Sequence, residues 1–159
     1  MANTNAISTA GSHVYYAVEA TAGTRPTEMT AYTEIPEVVE IPDLGSDINT
    51  LDTTSLAQEK SHTYIEGLAD SGGAFALTVN DCNAFREVWD EAVTASETGY
   101  AAGKATWICV VMKGMDEAFY IPGKLARLGF GGLSVDEVIQ NTANILPTGD
   151  YLYAAKPTV

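Results

Sequence analysis

The sequence predicts a mainly β protein: a β-sandwich or barrel with one flanking α-helix and one long inter-strand loop. Three observations predict it. About eight stretches carry strand-type residues bounded by turn residues. One stretch has a helical apolar stripe, and one acidic stretch is too apolar to be a solvated linker. A chain of 159 residues is about one domain and long enough to bury a core. Residues 1–159 are therefore read as a single domain, with residues 1–12 as an N-terminal arm.

HVYYAVEA, from residue 13 to residue 20, has the β-branched and aromatic content of a strand. Residues 34–41 read as a second strand. Pro36 and Pro42 lack ladder donors, which places it at an edge or around a bulge. KSHTYIE (60–66) is read as extended, with GLADSGG as the turn after it. Residues 73–79 alternate, with Phe75, Leu77 and Val79 on one face. The helix is placed at residues 83–95, where Phe85, Val88, Trp89, Ala92 and Val93 form one stripe, a packing face. Asn80 or Asp81 is its expected N-cap, and Gly99 lies beyond its expected end. ATWICVVMK (105–113) is apolar on both faces and reads as a central strand. Residues 117–121 pair with it across KGMD. GKLARLGFGG then leads into SVDEVIQNTANIL, read as extended, and PTGDYLYAA closes the run.

Residues 43–59 are the long loop. Between Arg25 and Lys60 stand eight carboxylates (Glu28, Glu34, Glu37, Glu40, Asp43, Asp47, Asp52 and Glu59) and no Lys or Arg. Interleaved with them are Leu44, Ile48, Leu51 and Leu56, in neither helical nor strand period. Something must cover those side chains.

The formal charge is −13, from 21 acids and 8 bases. Phosphate binding needs clustered Lys and Arg, so the balance argues against a nucleic-acid binder and against an anionic membrane surface. No apolar run approaches the roughly 18 residues of a membrane span, so no membrane insertion is expected. MANTNAISTAGSH has neither a basic nor an apolar leader region, so synthesis in the cytoplasm is expected. Cys82 and Cys109 do not make a disulfide framework, and both are read as buried thiols.

Catalysis finds little to work with. His13 and His62 are the histidines, both in expected strands and neither near a nucleophile. No HExxH, CxxC or EF-hand spacing is present. Asp43, Asp47 and Asp52 are a minor candidate for a shared Ca²⁺, with solvated loop charges as the default. Neighbouring acids such as Asp90 and Glu91 point well apart and make no acid–base dyad. No enzyme activity, metal or cofactor is expected.

The order of motifs resembles the major tail tube proteins of long-tailed, siphovirus-type bacteriophages. IPEVVEIPDLG (35–45), LDTTSL (51–56), YIEGLADSGGAFALTVND (64–81), the helix FREVWDEAV and YIPGKLARLGFGGLSVDEVIQNTANILPTGD (120–150) carry the resemblance. It implies a β-sandwich or barrel with one flanking helix, a fold also found in the type VI secretion tube. It implies homohexameric rings stacked into a virion tail tube around a tape-measure protein, started by a tail-tip or baseplate initiator and ended by a tail terminator protein. DNA would cross the lumen without specific binding, past a net-negative wall. Under this resemblance residues 43–59, at most roughly 55 Å when extended, reach a neighbouring subunit through Asp43, Leu44, Asp47, Ile48, Leu51, Asp52 and Leu56. The alternative is a small β-sandwich binding or decoration module that recognises a glycan or protein, with Tyr15, Tyr32, Tyr64 and Tyr100 as candidate aromatics.

Overall fold

Strand-type residues at the start of the chain form β1 (His13–Val18), and β2 (Thr33–Ile35) and β3 (Val38–Glu40) follow it. The computed structural model describes residues 10–44, 50–57, 61, 62, 64–66 and 74–159. Two short strands follow, β4 (Thr50–Asp52) and β5 (Tyr64–Glu66). Then come β6 (Phe75–Asn80), α1 (Asn83–Ala101), β7 (Thr106–Val111), β8 (Glu117–Leu125), β9 (Gln140–Pro147) and β10 (Leu152–Ala155). The chain divides into two units, one drawn from residues up to Pro42 with Ala74–Val159, the other from Asp43–Gly73.

The larger unit is one eight-stranded sheet in the order β2-β1-β7-β8-β9-β6-β3, with β10 also on β8. Its pairings are antiparallel. β2 and β3 stand at opposite ends of that order, yet only Pro36 and Glu37 separate them in the chain. The expected second strand is thus broken in two, and it nearly closes the sheet into a barrel. Pro36 offers no donor, and Glu37 adopts φ 61°, which turns the chain sharply. The Asn80 backbone N–H donates to the Glu37 carbonyl at 2.9 Å and holds the corner to β6.

Register decides the two faces. Cys109 lies opposite both Tyr15 and Tyr120, so these side chains share one face. There Ala17, Tyr32, Cys109, Ala118 and Tyr120 form a buried cluster. Burial pushes the Cys109 thiol up to about 11 and the Tyr32 phenol up to about 12. The segment before β2 caps this cluster: the Arg25 guanidinium sits 3.9 Å from the Tyr120 ring centre. Tyr32 donates to the Pro26 carbonyl at 2.8 Å, and Tyr120 to the Ala155 carbonyl at 2.6 Å.

The opposite face meets α1, which packs on β1, β2, β7 and β8. Phe85, Trp89, Ala92 and Val93 are buried, while Val88 lies at the margin of the stripe. Phe85 and Trp89 stack at 5.7 Å, and the Trp89 indole donates to the Ala126 carbonyl at 3.0 Å. The helix runs six residues past its expected end. Gly99 lies inside it and is buried, and Gly103, at φ 75°, follows its C-cap. Gly103 N–H donates to Tyr100 and Lys104 N–H to Gly99, the paired bonds of a Schellman stop. The N-cap is Cys82, without a side-chain cap bond, and not Asn80 or Asp81. Cys82 is exposed, so only Cys109 is the buried thiol the sequence suggested.

Glu19 is a buried carboxylate just beyond β1. It accepts from Gly23 N–H at 2.9 Å, Ala105 N–H at 3.1 Å and the Trp107 indole at 2.9 Å. Burial raises its pKa, but the Trp107, Ala105 and Gly23 donors outweigh burial and hold it below the usual range. Replacing Trp89 by Ala should cost about 3–5 kcal/mol, read as a fall in the urea midpoint with loss of near-UV dichroism. A loss under about 1 kcal/mol would mean the helix is not what holds this face.

Candidate assembly surface

The smaller unit is a hairpin in which Thr50 faces Glu66, Leu51 faces Ile65 and Asp52 faces Tyr64. All six residues are exposed. Leu51 is 56% exposed, Tyr64 55%, Ile65 53%, and Leu56 wholly so. Asp52 accepts from Thr54 N–H at 2.8 Å and from the Thr54 hydroxyl, with His62 3.6 Å away. The Thr54 hydroxyl and amide, then His62, hold its carboxyl below the usual range. A two-stranded hairpin is marginal in water by itself.

Of the loop residues singled out from the sequence, Leu51, Asp52 and Leu56 are in this unit and exposed, Asp43 is exposed and Leu44 half-buried. Asp47, Ile48 and the GLADSGG turn lie outside the described residues. Among the described residues no three His, Cys, Asp or Glu side chains gather as a metal site requires. His13 pairs with Glu34 at 2.7 Å on the surface.

A second apolar element escaped sequence reasoning. SVDEVIQNTANIL was expected to be extended throughout, but β9 begins only at Gln140. Residues 126–139 form a loop in which Phe130 is 82% exposed, Val135 88%, Val138 71%, Leu133 60% and Ile139 50%. Two signals were available. Buried alternation starts at Asn141 and continues through Ala143 and Ile145, and the Asp136-Glu137 pair interrupts the apolar run, with Asp136 at φ 64°.

The loop's two roots are fixed. Ala126 N–H donates to the Asn144 carbonyl at 3.0 Å, and Asp81 N–H to the Ile139 carbonyl at 2.9 Å. Asn141 is buried, and its amide donates to the Gly129 carbonyl at 2.9 Å and to Asp81 at 3.4 Å. Arg86 grips Asp81 through Nε and Nη2, both at 2.6 Å. Gly131 lies so close to the chain that a Cβ there would overlap the Gln140 carbonyl oxygen. Between Asp81, Cys82, Arg86, Phe130, Leu133 and Ile139 lies a cleft of about 230 Å³.

No protein-family model matches the chain, and no curated protein sequence matches it. Solved structures do resemble it. A chain of the anti-feeding prophage baseplate, six-fold symmetrised, aligns with TM-score 0.67 at 10% identity, over 96% of this chain and 97% of that one. A chain from the tail of an empty gene transfer agent particle, of C6 symmetry, gives 0.56 at 11% identity over 90% and 95%. One from the virion of the native particle gives 0.53 at 12% identity over 89% and 95%. The protein therefore has the fold of chains built into phage-like tails and baseplates, mainly β with one helix on a nearly closed sheet.

Asp81 lies below the usual carboxylate range, chiefly through its bonds to Arg86; burial opposes this and Asn141 assists. A carboxyl whose pKa falls on folding stabilises the protein above its unfolded pKa and loses that effect as pH drops through the folded value. Asp81→Asn should therefore give a shallower acid limb of stability against pH, together with faster amide exchange around Gly129 and Gly131. An unchanged acid limb would remove the ion pair from this role.

Proposed function

We propose that this chain is a structural subunit of a phage-type tail, namely the tube subunit of a long non-contractile tail, in the virion. Copies of it form hexameric rings that stack into a tube around a tape-measure protein, between a tail-tip initiator and a tail terminator. DNA passes down the lumen. The observation that carries this reading is the hairpin: four large apolar side chains exposed on a unit too small to bury them. The fold likeness to chains from six-fold tail and baseplate assemblies supports it across most of the chain.

Charge and surface chemistry agree with a conduit. The solvent faces of β6 and β9 carry Thr78, Asn80, Gln140, Thr142 and Asn144 beside the exposed Leu146, with no Lys or Arg on these two strands, and Lys124 of β8 stands opposite Leu146. Hydroxyls and amides with so few cations give phosphates little electrostatic hold. The net charge of −13 repels DNA further.

Negative-stain microscopy and light scattering of the concentrated protein, with tail-tip extract as a nucleus, test the reading. Rings or hollow tubes are expected. Deleting residues 45–55, or making Leu51→Asp with Leu56→Asp, should leave a folded monomer and abolish the tubes. Tubes that persist in both variants would remove the hairpin from assembly. A wild-type chain that stays monomeric with the nucleus present would overturn the tube assignment.

A further inference from the structure

We propose that residues 156–159 are a latch: Thr158 clamps residues 24–32 down as a lid over the buried Cys109–Tyr120 cluster, and release of Thr158 opens that lid while the sheet stays folded. The backbone shows how the lid is held. It contains a single 3-10 turn, Met29–Ala31. The N–H groups of Thr24, Ala31 and Tyr32 donate locally, to the Thr21, Glu28 and Met29 carbonyls. Among the described residues, the backbone bonds that tie this segment to another part of the chain all run to Thr158. Met29 N–H donates to the Thr158 carbonyl at 2.8 Å, and Thr158 N–H to the Thr27 carbonyl at 2.9 Å. The Thr158 hydroxyl reaches the same Thr27 carbonyl at 3.2 Å. Glu28 and Thr158 thus form an isolated parallel bridge, with no ladder on either side to reinforce it.

Lid and latch meet the same cluster underneath. Tyr32 belongs to it, while Met29 packs against it from the lid and Ala154 from β10. Arg25 lies over the Tyr120 ring, and Tyr120 bonds the Ala155 carbonyl, two residues before the buried Pro157. The fixed φ of Pro157 presets the direction in which Thr158 leaves β10. Cys109 is wholly buried beneath, and burial keeps its thiol protonated, so it is neither accessible nor nucleophilic while the lid is closed. Within the lid Tyr32 is the one buried residue, and Thr24, Thr27, Glu28 and Thr30 are exposed. A segment with so little buried surface and one bridge to hold it opens well below the cost of global unfolding.

Thiol labelling tests the latch. In a Cys82→Ser chain Cys109 is the one cysteine left, and its reaction with a maleimide is followed by mass spectrometry. Thr158→Pro removes the N–H that bonds Thr27 and should speed labelling by roughly tenfold or more. Thr158→Ala keeps both backbone bonds and should leave the rate within about twofold. The rate in Thr158→Pro should also depend on urea less steeply than global unfolding does, because a lid exposes less surface than the whole chain. Equal rates in the three chains, or a urea dependence as steep as that of unfolding, would overturn the proposal. Hydrogen exchange of the unaltered chain decides the matter even where Thr158→Pro does not fold. The Met29 and Thr158 amides should exchange together, ahead of the strand amides of β7 and β8. Exchange of those two amides only in step with the sheet would mean that no latch exists.

Discussion

The turn at Pro36 and Glu37 is the constraint on which the rest of this fold depends. Two residues bridge the opposite ends of an eight-stranded sheet, so the sheet has to curl until those ends meet. Curling gives the sheet an inner face and an outer face, each of which needs cover. One nineteen-residue helix can cover only one of them. The remaining cluster is therefore closed by the segment before β2, with Arg25 over Tyr120 and Tyr32 beside it. Polar pins such as Glu19, with its three donors, fix irregular chain between the layers.

The sequence revealed the secondary-structure types better than their ends. Phe85, Trp89, Ala92 and Val93 repeat at helical spacing because one face of α1 is buried, and that pattern is visible without coordinates. The helix's last turns were missed because Ser96 and Gly99 are buried there, and neither residue type announces an apolar stripe. β6 was legible as period-two alternation, and β9 as part of an extended run that was started six residues too early. The split between β2 and β3 was only half legible: the prolines gave an interruption, while the meeting of the sheet's ends depends on β2 pairing back to β1 and β3 pairing forward to β6 across the hairpin unit.

The candidate surface divided in the same way. A mixed acidic and apolar run with no period pointed to the hairpin region, since nothing within the run could hide its leucines. The 126–139 loop left a weaker trace, because Val135, Val138 and Ile139 fit a strand as readily as an exposed loop. What fixes that loop is tertiary: the Asn141 amide on Gly129, and Gly131 pressed against Gln140. Spacing along a chain does not encode such contacts.

The curled sheet also bears on how fast the chain can fold. β1 pairs with β7 some ninety residues later, and β3 with β6 across the whole hairpin unit. Contacts this distant in sequence must await closure of long loops, which places such topologies at the slow, millisecond-to-second end of the range. α1 draws its backbone bonds from its own turns and offers Phe85 and Trp89 as a surface on which strands can collect. During that delay the sheet's margins are open to other chains. In the finished fold the ends of that strand order are β2 and β3, three residues each and joined by the corner, so strand addition finds little edge there, and the edges left among the described residues belong to β10 and the β4–β5 hairpin.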